Sequence, residues 1–376
     1  MKFTELPTPC FLVDENRLVQ NLAVLRDVAD RTGAKILLAQ KAFSMFSAYP
    51  LLREYLAGTT ASGLFEARLG KEEFGGETHV YSPAYAEGEF QEILHYADHV
   101  VFNSFHQWKA YGNLARAAGK SCGLRLNPEC STQPAEHAMY DPCGPTSRLG
   151  ITEANFQPEL LAGIEGFHFH TLCEQNADDL VRTVAAFENR FGKYMEGIKW
   201  LNLGGGHHIT RDDYDVETLV QCVNYLREKY HVQIYLEPGE AVVLNAGWLA
   251  ATVLEVMHNG KDIAILDTSA ACHMPDVLEM PYRPPVWRSG EPGKKAFTYL
   301  LTGRSCLAGD VIGEYSFDNT LRPGDQVVFE DMALYTMVKT NTFNGVPLPM
   351  LAVRRADGTD EVIKIFGYED FKNRLS

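Results

Sequence analysis

Up to about residue 240, short apolar runs alternate with longer stretches whose apolar positions recur at helical spacing. The runs are KILLAQ (35–40), TTASG (59–63), THVYS (78–82), HVVFN (99–103), SCGLRLN (121–127), GIEGFHFHT (163–171), IKWLNLGGG (198–206) and VQIYLEP (232–238). Amphipathic segments such as Asn16 to Arg31, Glu89 to Ala97 and Asp178 to Phe191 lie between most of them. Buried-type strands alternating with helices predict an α/β chain with a parallel sheet. Eight such units over about 210 residues predict a closed (β/α)8 TIM barrel rather than an open sheet.

The texture then changes. Strand-like runs KDIAILDT, AFTYLLTG, DQVVFED, LPMLAVRR and EVIKIFGY follow one another without a long helical pattern. Turn signals occur at Asn259-Gly260, Pro292-Gly293, Pro323-Gly324 and Asp357-Gly358. These features predict a C-terminal antiparallel β-domain, and the strand-like opening TPCFLVDEN is expected to join it. The expected organisation is a barrel over residues 26–240 inserted into a β-domain made of 1–25 and 241–376.

Composition narrows the function classes. The 376 residues suffice for two domains with sizeable cores. Lys and Arg total 34 against 49 Asp and Glu, a net charge of −15, which argues against a nucleic-acid backbone as partner. No apolar run is long enough to span a membrane, and the opening residues lack a signal peptide's apolar core, so a cytoplasmic protein is expected. Eight cysteines without a CxxC pair are expected to be reduced.

Polar residues recur where strands of such a barrel end, which is where barrel enzymes place their chemistry. Lys41 follows the first strand and Arg125 lies on the fifth. His168 and His170 end the sixth, Gly204-Gly205-Gly206 the seventh and Glu237-Pro238-Gly239 the eighth. A lysine at an apolar mouth can lose its proton and form a Schiff base. A glycine triplet can offer backbone N–H groups to a phosphate. A carboxylate can keep a pyridine nitrogen protonated. Together these groups describe a pyridoxal 5′-phosphate site.

The motifs LLAQKAF, LNLGGGHH, YLEPGE, LTGRSCLAGD and DMALYTMVKTNTFNG resemble, in order along the chain, those of the alanine racemase-like, fold type III pyridoxal-phosphate decarboxylases. The resemblance implies that Lys41 carries the Schiff base, His170 stacks on the cofactor ring and Glu237 pairs with the pyridine nitrogen. It places Gly204, Gly205 and Gly206 at the phosphate with Gly239 and Tyr335 close by, and Arg125 toward the 3′-oxygen. It further implies a homodimer with shared active sites, in which Cys306 and Asp310 come from the second subunit and Cys306 or Lys41 protonates the product.

Two departures bear on substrate. EPGE carries Glu240 where relatives read EPGR, and Leu307 follows Cys306 where ornithine decarboxylases have Asp. Glu240 and Asp276, with Glu279 near them, are the carboxylates expected to hold a cation, and Asp310 joins them at the substrate. Within the family, HFHTLCE, GGGHHIT, EPGEAV and SCLAGD most resemble the carboxynorspermidine (carboxyspermidine) decarboxylases of bacterial polyamine synthesis, whose substrates are cationic carboxypolyamines. Diaminopimelate decarboxylation is the nearest alternative. A metal-dependent hydrolase using His168, His170, His207, His208 and Lys41 is a rival from another class, as is a non-catalytic pyridoxal-phosphate-binding protein; no metal is expected.

Overall fold

A computed structural model describes residues 6–376 and divides into two compact units, Gln20–Val242 and the chain up to Val19 with Val243–Ser376. Residues 1–5 of the expected β-domain lie outside the described residues. Strand β1 (Cys10–Asp14) belongs to the second unit. The next eight build the first: β2 (Lys35–Ala39), β3 (Gly58–Ala61), β4 (Glu77–Tyr81), β5 (His99–Phe102), β6 (Ser121–Arg125), β7 (Gly166–His168), β8 (Trp200–Asn202) and β9 (Gln233–Leu236). Every neighbour in this set pairs in parallel, and β9 closes onto β2 through Lys35–Tyr235 and Ile36–Leu236.

All eight predicted runs form barrel strands; each is largely buried on both faces, with polar members such as Thr59, Thr78 and Asn202 buried as well. The Ala177–Phe191 helix shows the complementary pattern: Leu180, Val184, Phe187 and Phe191 are buried at helical spacing, each burial stabilising by about 1.5–3 kcal/mol. Asn176 caps this helix through the Ala177 amide. One crossover has no α-helix. Between β6 and β7 the chain makes only 3-10 turns, so a long loop leads away from Arg125. Inside the barrel, Trp200 packs with Leu37, Val101 and Tyr235. Gly123 and Gly166 make room for its indole, into which a Cβ at either position would run.

The second unit contains β10 (Gly247–Asn259), β11 (Lys261–Leu266), β12 (Phe297–Thr302), β13 (Val311–Phe317), β14 (Gln326–Glu330), β15 (Met350–Arg354) and β16 (Asp360–Lys364). With β1 they form one sheet in the order β13-β12-β11-β10-β1-β15-β16, and β14 also pairs with β10. The long β10 pairs with β14 over Trp248–Thr252 and with β11 over Val253–Asn259, the latter pairing shifting register between Val253 and Glu255. Strand β1 is central and buried on both faces: Phe11 enters one apolar cluster, Cys10 and Leu12 another. The sheet is mostly antiparallel, but β1–β15 and β11–β12 pair in parallel. The connection from β11 to β12 holds the helical turns Ala270–His273 and Asp276–Glu279, and such a crossover is what a parallel pair requires. Among the described residues no helix is long and apolar enough to cross a membrane.

Candidate active site

The C-terminal strand ends of the barrel surround a cavity of about 220 Å³ lined by Lys41, Tyr81, Arg125, His168, His170 and Glu237, among others. A wider hollow, about 650 Å³, lies at the opposite strand ends around Glu77, His99 and Glu165 and gathers none of these groups. Lys41 keeps accessible surface toward the cavity, yet the walls crowd its ammonium. Desolvation, then the Arg125 guanidinium, push its pKa below the ordinary lysine range, against the pull of Glu237. A neutral amine is the form that attacks a carbonyl. Arg125 is buried, donates to the His170 carbonyl at 3.0 Å and lies 4.5 Å over the Tyr81 ring.

Glu237 is the fixed anion of the cavity. Burial works to raise its pKa, but His168 and the Asn202 amide outweigh it and bring the carboxyl to about 2. Asn202 Nδ2 donates to Glu237 Oε1 at 2.7 Å, and the Gly204 amide donates to Asn202 Oδ1 at 2.9 Å. His168 Nε2 stands 3.4 Å from the other carboxylate oxygen. Burial lowers the pKa of His168, against the pull of Glu237 in the opposite direction. Burial, followed by the charges of Lys41 and Arg125, sets His170 well below the usual histidine range. Its Nδ1 accepts the Gly205 amide at 2.9 Å.

The glycine triplet is shaped by its neighbours. A Cβ at Gly204, Gly205 or Gly206 would strike the carbonyl of Phe169, Glu237 or Leu172, and positive φ at Gly204 and Gly206 bends the loop. Two of its three amides are already engaged with Asn202 and His170, which narrows the expected phosphate cradle. The amides of Gly206 and His207 have no partner among the described residues. Gly239 shows a packing task instead of a contact through its backbone: a Cβ there would lie 2.6 Å from that of Ala42, in the segment carrying Lys41.

The carboxylates expected to grip a cation are already occupied. Glu240 Oε2 is 2.8 Å from His208 Nε2, with both side chains largely buried. Asp276 pairs with Lys339 at 2.5 Å, and Glu279 lies 3.7 Å from the same ammonium. Asp310 accepts from the Ser269 and Ser305 hydroxyls and the Ala271 and Ser305 amides, so it clasps the turn carrying Cys306. Cys306 itself is exposed, its amide held by Asn344 Oδ1 at 2.7 Å. Tyr335 adopts a left-handed backbone, and Lys339 lies 5.8 Å over its ring. Asp276, Glu279, Asp310, Cys306 and Tyr335 lie in the sheet unit, apart in the chain from the residues around the cavity.

Sequence reasoning passed over Asn202, Cys173 and the His208–Glu240 contact. A buried amide on a three-residue strand of otherwise apolar character was the available sign for Asn202, since such a group needs a partner. Cys173 lies near Lys41 and Glu240, and burial, then Glu240, push its thiol up to about 12. His168, His170 and Glu237 are close enough to share a metal ion. That reading is weakened by the Gly205 amide on His170 Nδ1 and by the Arg125 guanidinium in the same cavity.

The family model described as pyridoxal-dependent decarboxylase, C-terminal sheet domain, matches residues 11–333. The chain belongs to the pyridoxal-dependent decarboxylases. A carboxynorspermidine/carboxyspermidine decarboxylase of Campylobacter jejuni is 44% identical over the full length of both chains. A carboxyaminopropylagmatine decarboxylase of Synechocystis is 43% identical over all of this chain and 97% of its own. The solved structure of the Campylobacter jejuni carboxynorspermidine decarboxylase with norspermidine superposes with a TM-score of 0.92, covering 98% of this chain and 100% of that one at 43% identity. A Helicobacter pylori diaminopimelate decarboxylase shares the fold at TM-score 0.85 and 18% identity over 99% and 98% of the two chains.

Pyridoxal phosphate is the family's cofactor, and the cavity of this decarboxylase suits it. A depressed lysine, an ionised carboxylate held by Asn202 and two unpartnered amides at a side-chain-free bend are the groups its aldehyde, ring nitrogen and phosphate require.

Proposed function

We propose that this decarboxylase removes the carboxylate from carboxynorspermidine or carboxyspermidine, releasing a polyamine and carbon dioxide. The observation that carries the reading is the convergence of Lys41, His170 and Glu237 on one cavity in a chain 43% identical to a structure complexed with norspermidine. When bound, pyridoxal phosphate supplies a ring that accepts the electron pair of the breaking Cα–carboxylate bond. Lys41, whose lowered pKa favours the neutral amine, would hold the cofactor through its aldehyde. Glu237 keeps a proton on the ring nitrogen, and Asn202 keeps Glu237 aimed at it. His170, fixed by the Gly205 amide, would pack against the ring. The Cα left by carbon dioxide takes a proton from Cys306 or Lys41.

The proposal includes a homodimer in which Cys306, the turn clasped by Asp310, and Tyr335 serve the cavity of a second subunit. Asp276 and Glu279 already hold an ammonium, that of Lys339, which is the chemistry a polyamine tail would meet there. The Synechocystis relative favours carboxyaminopropylagmatine as a second reading.

The deciding experiment measures carbon dioxide release from carboxynorspermidine, carboxyspermidine, carboxyaminopropylagmatine, diaminopimelate, ornithine and arginine. The highest kcat/KM should fall on one of the first two. Preference for diaminopimelate would overturn the reading, and preference for the guanidino substrate would install the second one.

A further inference from the structure

A glycine would suit the backbone at Asn344. Its φ of 57° is left-handed, as is the φ of Gly345 after it, and only glycine takes that conformation without strain. The side chain is therefore the informative part of Asn344. Its Oδ1 accepts the Cys306 amide at 2.7 Å, across 38 positions of the chain. Both residues remain exposed, so the bond hides no surface and adds little to folding. What it fixes is a peptide plane.

Further bonds complete the hold on the thiol's residue. The Ser305 amide donates to Asp310 Oδ2 at 3.2 Å, and Ser305 Oγ donates to the same oxygen at 2.6 Å. The Leu307 amide in turn donates to Ser305 Oγ at 3.4 Å. The planes before and after Cys306 are thus both held, and with them the φ and ψ that aim its Cα–Cβ bond. Asn344 has its own support. Asn341 Oδ1 accepts the Phe343 amide at 2.9 Å, and Asn341 Nδ2 donates to the Ala271 carbonyl at 2.8 Å. The Ala271 amide closes the circuit on Asp310 Oδ1 at 3.2 Å. Asp310 is 3% exposed, and both its oxygens are committed inside this ring of bonds.

We infer that Asn344 is a positioning residue for the Cys306 thiol, with Asp310 as the opposite anchor of the same turn. The thiol then delivers its proton to the substrate's Cα from a fixed direction. In that step the S–H bond breaks, a C–H bond forms with the electron pair left at Cα, and water reprotonates the thiolate. Asp310 acts through the turn, which differs from the substrate contact expected of it. The inference rests on the reading that Cys306, and not Lys41, supplies the proton.

The test uses full-length protein and reads amide exchange by mass spectrometry beside steady-state decarboxylation. Asn344→Gly keeps the left-handed backbone and removes the acceptor. Exchange in the peptide holding Cys306 should quicken about 3- to 10-fold, the share of one net hydrogen bond, with or without cofactor. The kcat should fall about 10- to 100-fold while KM stays within about threefold. Asn344→Asp restores an acceptor and tolerates the same backbone, so it should bring both quantities back toward the parent's. In a Cys306→Ala background, Asn344→Gly should cost less than about twofold more, because no thiol is left to aim. Equal losses with and without the thiol would overturn the inference, as would unaltered exchange in Asn344→Gly. Asn341→Ala removes the support behind Asn344 and should move both readouts the same way by less; it serves if Asn344→Gly does not fold. A parental kcat in Cys306→Ala would instead remove the underlying reading and pass the proton to Lys41.

Discussion

At Glu237, two neighbours of different kinds keep one carboxylate ionised where burial alone would neutralise it. Asn202 supplies a 2.7 Å hydrogen bond, and His168 stands on the far oxygen. If this anion holds the ring nitrogen's proton, Glu237→Gln should retain cofactor absorbance while kcat falls by about 100-fold or more, ~2.7 kcal/mol of barrier. Steady-state kinetics beside the visible spectrum would show it, and a kcat within threefold of the parent would release Glu237 from the role. Lys41→Ala should abolish both the visible cofactor band and turnover, and full activity in that variant would sink the assignment. The residue types at these positions were legible in the sequence because they recur at strand ends. Their partners were not, since Glu240–His208 and Asp276–Lys339 join positions 32 and 63 residues apart.

At the scale of elements, the barrel's opposite end is closed by rings. His79 stacks on His99 with centroids 3.9 Å apart and planes 16° from parallel, while Trp200 Nε1 donates to Ser121 at 2.9 Å. Glu77, His79 and His99 are near enough for a metal ion, but one ion cannot lie in the planes of two stacked imidazoles, and Lys35 already pairs with Glu77. Burial, then His79, push His99 down to about 3, so the folded state holds it neutral. Protons therefore favour the unfolded chain once pH drops below the unfolded value near 6.5, and stability is lost as pH falls from there toward 3. Glu77, lowered to about 2, adds its own loss only below 4.5. His99→Asn should flatten the dependence of unfolding free energy on pH between 6.5 and 4.5 by at most about 1.4 kcal/mol per pH unit, read from urea titrations. An unchanged slope would show that His99 is protonated in the fold. Beside it, Gly166→Ala should destabilise by about 1–3 kcal/mol, because the Trp200 indole fills the space a Cβ needs. Loss of less than 0.5 kcal/mol would mean that the indole moves aside freely.

For the whole molecule, the proposed homodimer makes a prediction that neither unit makes by itself. Lys41→Ala and Cys306→Ala subunits, each inactive or weak alone, should recover activity when mixed and allowed to exchange, because one hybrid site draws its lysine and its thiol from two intact sources. Carbon dioxide release from the mixture measures it. No recovery after demonstrated exchange would place both residues of a site in one subunit. The net charge of −15 carries no specific meaning at this scale. The acids that could select a cation are a few individual carboxylates, and those seen here are paired within the chain.

Periodicity alone determined the eight barrel strands and the later strand-rich portion, because local apolar patterning decides whether a segment can be buried on one face or two. It also located the lysine, glycines and carboxylate that the strand ends carry. Tertiary structure decided the rest: a β6–β7 crossover without an α-helix, β1 threaded between β10 and β15, two parallel pairings in a mostly antiparallel sheet, and which carboxylates remain free. Pairing partners far apart in sequence leave no local pattern. Whether an acid such as Glu240 is a free anion or half of a buried pair depends on the neighbour folding brings to it, here His208.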